Sequence, residues 1–149
     1  MKYMPHNQVY AKLARSPIHG VGVFAIRPIK KGTYPFRHDH EPMVWVDETD
    51  LRGLRREVRR LYTDFGVLRN NRYGCPTSFN MLTPAWYVNH SRTPNLAIDQ
   101  DYCFYTVRDI RVREELTADY STYSDTRASR RRTGQRVHKA KRAGRSSTT

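Results

Sequence analysis

Cysteine is nearly absent: Cys75 and Cys103 are the only two in 149 residues. Two thiols cannot build a four-thiolate zinc site or a disulfide framework, and a reducing, intracellular compartment is the simpler setting. Long hydrophobic runs are absent as well. Nothing approaches the ~18–20 apolar residues that span a bilayer, and the first ten residues, MKYMPHNQVY, have no apolar centre of a secretory signal. Neither a membrane partner nor a metal site is expected. Acids are missing from one stretch, since Thr126 to Thr149 holds nine Lys and Arg and no Asp or Glu. Val137 is the single sizeable aliphatic residue in that stretch, too little to anchor an element, so a basic, disordered tail over 124–149 is expected.

What is present is enough for one folded domain. Lys and Arg total 27 against 14 Asp and Glu, a net charge of +13. Setting aside the nine cations of the tail leaves 18 against 14, so residues 1–125 carry only +4. Val9 to Ala14 leads into Ser16–Ala25, a turn-rich segment followed by a short apolar strand candidate, and further short β-prone runs at Met43–Val46, Tyr87–Val88, Leu96–Ile98, Tyr102–Val107 and Ile110–Val112 are separated by turn residues. They predict a mainly β core with short helices. From Leu51 the pattern changes: Leu51, Leu54, Val58, Leu61, Tyr62 and Phe65 share one helical face, Arg52, Arg55, Arg56, Arg59 and Arg60 take the other, and Gly66 is the stop. Residues 67–84 are rich in Asn, Gly and Pro and read as loop with short extended pieces.

Three separated segments carry candidate chemistry: His19-Gly20-Val21-Gly22-Val23-Phe24-Ala25, Asn89-His90-Ser91-Arg92-Thr93-Pro94-Asn95 and Glu115-Leu116-Thr117-Ala118-Asp119-Tyr120. Singly, each also reads as ordinary structure: a G-x-G turn, a loop in which Asn and Ser bond local backbone, a strand end. Together, in this order and at these spacings, they resemble the SET domain of protein-lysine methyltransferases, marked by G-x-G, N-H-S-x-x-P-N and E-L-x-x-D-Y. The resemblance spans about residues 9–123, with 47–84 as a variable insert containing the basic helix.

That resemblance implies a fold of several small sheets with a C-terminal pseudoknot, and S-adenosylmethionine-dependent methyl transfer to a lysine amine of a protein substrate. It implies that Gly20, Val21, Gly22 and Val23 lie with their backbone against the cofactor, where side chains would block approach. Tyr87, Asn89 and His90 line the same pocket, and Tyr120 is the catalytic tyrosine. Trp86 stands where the family often has Arg, and Arg92 where it often has Cys, consistent with no zinc-binding cysteine cluster after Tyr120. Another element must then cover the lysine channel; Tyr123 is the nearest candidate, or simply a surface residue packed on the domain. The second channel aromatic falls near His38, which with His40 reads as a solvated strand end rather than a metal site. Ala118 and Ile98 occupy positions where a Tyr hydroxyl would restrict the product, and their lack of one favours di- or trimethylation. The tail reads either as a binder of nucleic acid or another polyanion, or as a self-modified segment with Lys139 and Lys141 as targets. A basic DNA-associated protein is one substrate class. The alternative reading is a non-catalytic SET module that binds nucleic acid or chromatin through its tail.

Overall fold

The computed structural model describes residues 2–37 and 42–125; His38, His40 and residues 126–149 of the basic tail lie outside the described residues, whereas Ser124 and Asp125 are bonded to Leu68. The described chain runs β1 (Ala11–Arg15), β2 (Val21–Ala25), β3 (Val44–Asp47), α1 (Arg56–Phe65), β4 (Val67–Arg69), β5 (Arg72–Cys75), β6 (Asn89–His90), β7 (Leu96–Ile98), β8 (Phe104–Thr106) and β9 (Glu115–Ala118), with 3-10 turns between several of them. The expected mainly β class with short helices is what the chain adopts. Among the described residues no helix is long and apolar enough to cross a membrane.

The larger sheet has the order β1-β2-β9-β7-β8, with β6 also paired to β9. β1 and β2 form a hairpin in register from Ala11 opposite Ala25 to Arg15 opposite Val21. Its turn closes through the Ser16 amide donating to the Gly20 carbonyl (2.8 Å), and Gly20 takes a φ of +44° that a side chain would disfavour. Val23, Ile29, Leu96, Ile110 and Leu116 fill the main core, each at most 2% exposed. At roughly 1.5–3 kcal/mol for each fully buried aliphatic side chain, this cluster is the chief stabilising element of the fold.

The smaller sheet, β3-β5-β4, stands apart with its own cluster of Leu51, Leu68 and Tyr73. The structure departs from the sequence reading in several places; Ile110–Val112, for one, makes only a bridge from Ile110 to Ile29 and no strand. The helix expected from Leu51 begins only at Arg56; Leu51 ends a separate 3-10 turn (Glu48–Leu51), and Gly53 lies in the break. Leu51 fits a helical pattern by position, yet glycine's backbone freedom costs helix in the interior. Gly66 does stop the helix, because a Cβ there would lie 2.6 Å from the Tyr62 carbonyl. The segment expected as loop with short extended pieces has them paired as a β4–β5 hairpin whose turn residues, Asn70 and Asn71, both have positive φ (51° and 61°), the requirement of a type I′ turn. Tyr87 and Val88, expected in a strand, end a 3-10 turn (Pro84–Tyr87), and the strand starts one residue later.

Besides Val67 of β4, which packs against the main core, two links join the sheets among the described residues. Trp45 of β3 meets Tyr102 edge-on at 5.7 Å, and Gly74 of β5 makes room, since a Cβ there would sit 2.9 Å from the Trp45 ring. Tyr102 itself has a φ of +60°, strained for an aromatic residue, in a turn held by Asp99 accepting from the Asp101 and Cys103 amides at 2.9 and 3.0 Å. The second link is the C-terminal end: Ser124 Oγ accepts from the Leu68 amide (3.0 Å), and the Asp125 amide donates to the Leu68 carbonyl (2.6 Å).

Candidate active site

β9 is the element on which the three motifs meet. Along a strand, backbone groups of alternate residues face opposite edges. The Glu114 carbonyl accepts from Ala25 of β2 (2.9 Å), and the Ala118 carbonyl accepts from Ser91, just after β6 (3.0 Å). On the other edge, Asn95 Nδ2 donates to the Glu115 carbonyl (2.8 Å) and Asn95 Oδ1 accepts from the Thr117 amide (2.8 Å). The loop from Ser91 to Asn95 therefore passes across β9, from the β2 edge to the β7 edge, and β9 threads beneath it. This is the expected C-terminal pseudoknot. Asn95, 1% exposed, acts as a substitute peptide unit, satisfying two buried backbone groups that no strand reaches.

A second polar cluster ties the first motif to the other two. The Glu115 carboxylate accepts from Ser16 Oγ (2.8 and 3.0 Å) and from Asn89 Nδ2 (3.0 Å). Asn89 Nδ2 also faces the carbonyls of His19 (3.0 Å) and Val21 (3.3 Å). All three neighbours are acceptors, which fixes the amide orientation: Nδ2 must face them and Oδ1 must face away.

The glycines of the first motif answer to this cluster. A Cβ on Gly22 would lie 2.2 Å from Glu115 Oε1 and 2.9 Å from the Ser16 Cβ, whereas one on Gly20 would meet nothing within 4 Å. Gly22 is thus required by packing and Gly20 by its backbone angle, both before any ligand is considered. Val23 is wholly buried between Leu13 and Leu116, while Val21 is exposed at the start of the strand.

Across β6 lies the other half of the site. Val88 and His90, the residues either side of Asn89, line a cleft of about 860 Å³ between the two sheets, together with Phe104, Tyr120 and Tyr123. The Tyr120 hydroxyl donates to the Val88 carbonyl (2.5 Å), and its amide donates to His90 Nδ1 (3.1 Å). That second bond requires an unprotonated Nδ1, so in this arrangement neutral His90 carries its proton on Nε2. Burial, assisted by the Glu115 carboxylate, pushes the Tyr120 phenol up to about 12. Tyr123 is not a surface residue: it is 9% exposed, joins the main core and packs edge-on to Tyr120 and Phe104, both at 6.0 Å. Burial raises its phenol too. Below them, the Ser121 hydroxyl and amide donate to Asp119 Oδ1 (2.6 and 3.0 Å) and hold that carboxyl below its usual range.

Of the residues singled out in the sequence, Gly20, Val21, Gly22 and Asn89 converge on one side of β6, and His90 and Tyr120 on the other. Tyr87 belongs to neither group; its ring packs on Phe65 of α1 at 5.2 Å. Ser16, Glu115, Asn95 and the Val88 carbonyl were missed. Glu115 and Asn95 stand inside the quoted motifs, but only contacts spanning up to 99 positions reveal their task.

The SET domain family model matches residues 20–121, more than half of the chain. The chain belongs to the SET-domain family. No curated protein sequence matches it. Among solved structures, a Chaetomium thermophilum Polycomb Repressive Complex 2 chain, a humanized mutant bound to an inhibitor, is 20% identical with a TM-score of 0.53, covering 78% of this chain and 15% of that one. A Plasmodium falciparum protein described as a candidate histone methyltransferase is also 20% identical, with a TM-score of 0.46, covering 75% of this chain and 93% of that one. The first of these supports the SET fold described above; this chain spans only a small part of that relative's length.

Proposed function

We propose that this SET domain is a protein-lysine N-methyltransferase dependent on S-adenosylmethionine, with residues 9–123 as the catalytic unit and 47–84 as the insert forming one wall of the substrate cleft. The observation that carries this reading is Tyr120: its hydroxyl is held by the Val88 carbonyl on the cleft wall, one residue along the chain from Asn89 and its polar cluster.

The residues present fit the cofactor. With Nδ2 committed to Glu115 and the hairpin turn, the Asn89 Oδ1 acceptor is left for the ammonium of an amino-acid moiety, and His90 Nε2 is left as a donor. Exposed Val21 and the turn before it offer backbone on the Asn89 side of β6. When bound, the cofactor supplies a methyl group on a cationic sulfur. Gly20 and Gly22 shape that side indirectly, by letting the turn close on Glu115, and Val23 anchors the strand beneath it in the core. Tyr87 acts on the cleft side instead, packing on Phe65 of its wall.

The chain's own contribution is positioning. Because the Tyr120 hydroxyl proton is engaged with Val88, the oxygen lone pairs are left to orient the incoming amine. The phenol stays protonated far above neutral pH, so it is no general base. A lysine amine, with an ordinary pKa near 10.4, must lose a proton to attack. The aromatic wall of Phe104, Tyr120 and Tyr123 disfavours the ammonium form by desolvation. Tyr123, buried beside Tyr120, covers the channel where a cysteine-rich segment is absent. Ile98 lines the cleft without a hydroxyl, which favours di- or trimethylation; Ala118 is 1% exposed within the core and contributes no room. Mass spectra at long reaction times check this: a product that stops at one methyl with cofactor in excess overturns it.

The test of the function is calorimetric titration with S-adenosylmethionine, followed by incubation with methyl-labelled cofactor and a basic protein mixture such as core histones. Cofactor binding with label on lysine is expected. Binding without transfer leaves the non-catalytic module, and no binding removes the cofactor reading.

A further inference from the structure

The cleft wall is opposite in charge to the chain that forms it. Asp64, Asp101, Asp119 and Asp125 line it against Arg37 and Arg92, in a protein of net charge +13. Ser121 holds Asp119 charged, and Asp64, Asp101 and Asp125 are exposed. Such a wall attracts a basic segment and repels a nucleic acid. The described chain also ends on this wall: Ser124 and Asp125, bonded to β4, are among its lining residues. Beyond Asp125 come 24 residues with nine cations and no acid, including just two lysines, Lys139 and Lys141.

We propose that the cleft takes this chain's own C-terminal segment, and that Lys139 and Lys141 are methylated there in cis. The inference rests on the methyltransferase reading above and names a substrate for it. Lys139 lies 14 residues past Asp125, a length that spans up to about 46–50 Å when extended. It is ample to leave the rim and return. Tethering raises the effective concentration of these lysines to the order of millimolar, so a basic segment on the same chain outcompetes a dilute one of similar affinity. Each transfer starts with an amine that has lost its ammonium proton to water. Its lone pair forms the new N–C bond as the C–S bond of the sulfonium donor breaks, and that bond's electron pair stays on sulfur. The product methylammonium can shed its extra proton to water before another round.

Two measurements on the full chain test this. Carbodiimide cross-linking without any methyl donor should join Lys139 or Lys141 to Asp64, Asp101, Asp119 or Asp125, read by mass spectrometry of the digest. Labelled S-adenosylmethionine alone should then place methyl groups on the same two lysines, at a rate per molecule that is unchanged by tenfold dilution. Lys139→Arg with Lys141→Arg should remove the label while histone labelling persists. A tail without label, a rate that falls tenfold on tenfold dilution, or cross-links that avoid the cleft carboxylates overturns the proposal. If histones are labelled while the tail is not, only the choice of substrate fails, as it would for a tail committed to nucleic acid. If neither is labelled, the catalytic reading falls with it.

Discussion

The two sheets are held together by different means. In the larger sheet, polar side chains are buried and hydrogen-bonded: Asn95, Asn89 and Thr106, 1%, 8% and 1% exposed, bond backbone or Glu115 across long stretches of sequence. The β3-β5-β4 sheet has a cluster of three buried residues, and α1, which packs on it through Tyr62 against Tyr73 (6.2 Å) and Phe79 (4.9 Å), has no buried residue of its own. Buried hydrogen-bond networks impose one arrangement, whereas aromatic edges on a small core tolerate variation. On the proposed reading, Tyr120 and Asn89 act from the half that admits one geometry, and the proposed substrate wall comes from the half that can change.

Tyr120→Phe should give the largest effect. Without the hydroxyl, methyl transfer is expected to fall on the order of a hundredfold or more, with cofactor affinity, read by calorimetry, within a few-fold. Unchanged turnover would remove Tyr120 from catalysis.

The comparison of the two halves is sharpened by Asn95→Ala against Leu51→Ala. Asn95→Ala orphans a buried carbonyl and amide of β9 and should cost about 2–4 kcal/mol in denaturant unfolding, with loss of cofactor binding. Leu51→Ala should cost about 2–3 kcal/mol but leave cofactor affinity nearly intact, because Leu51 belongs to the other cluster. Equal loss of affinity in both would break the division drawn here.

Within the first motif, Gly22→Ala forces the Glu115 carboxylate off Ser16 and Asn89 and should weaken cofactor binding by about 1–3 kcal/mol. Gly20→Ala meets no atom and should cost about 1 kcal/mol of stability through its positive φ, with binding retained. Titration of both variants separates packing from backbone.

The smallest effect is alkaline. An unfolded Tyr ionises near 10, and Tyr120 in the fold near 12. Between those values the unfolded chain has released a proton that the native state keeps, so stability falls as pH rises above 10 and is undiminished by this group below it. Tyr123 acts in the same direction. Unfolding midpoints between pH 9 and 11 should decline, and less so in Tyr120→Phe.

Legibility in the sequence followed the range of the interactions. β2 and β7 have the bounds their apolar runs suggest, and Gly66 stops the helix as its position implies, because each depends on neighbours in the chain. The extended pieces of 67–84 were legible, but their pairing as the β4–β5 hairpin was not, because its turn is two asparagines rather than a glycine pair. The early part of the expected helix failed because hydrophobic spacing does not register the break at Gly53. The motif letters led to Asn89, His90 and Tyr120, yet the reason for Gly22 is a carboxylate 93 positions away, and Asn95 works only on a strand that comes 20 positions later. Contacts of that span leave no periodicity to read.

The passage of β9 under the loop from Ser91 to Asn95 also governs how the molecule comes into being. Threaded connections are rare, and contacts as distant as Ser16 to Glu115 place this chain among slow folders of high contact order. During synthesis the hairpin, the insert and the loop precede β9, so the site cannot exist even in part until residues near 120 have left the ribosome. A chain interrupted before Glu115 holds Ser16, Gly22 and Asn89 but lacks the carboxylate that ties them together. Refolding from denaturant should accordingly recover methyl transfer, cofactor binding and the burial of Tyr120 in a single late step.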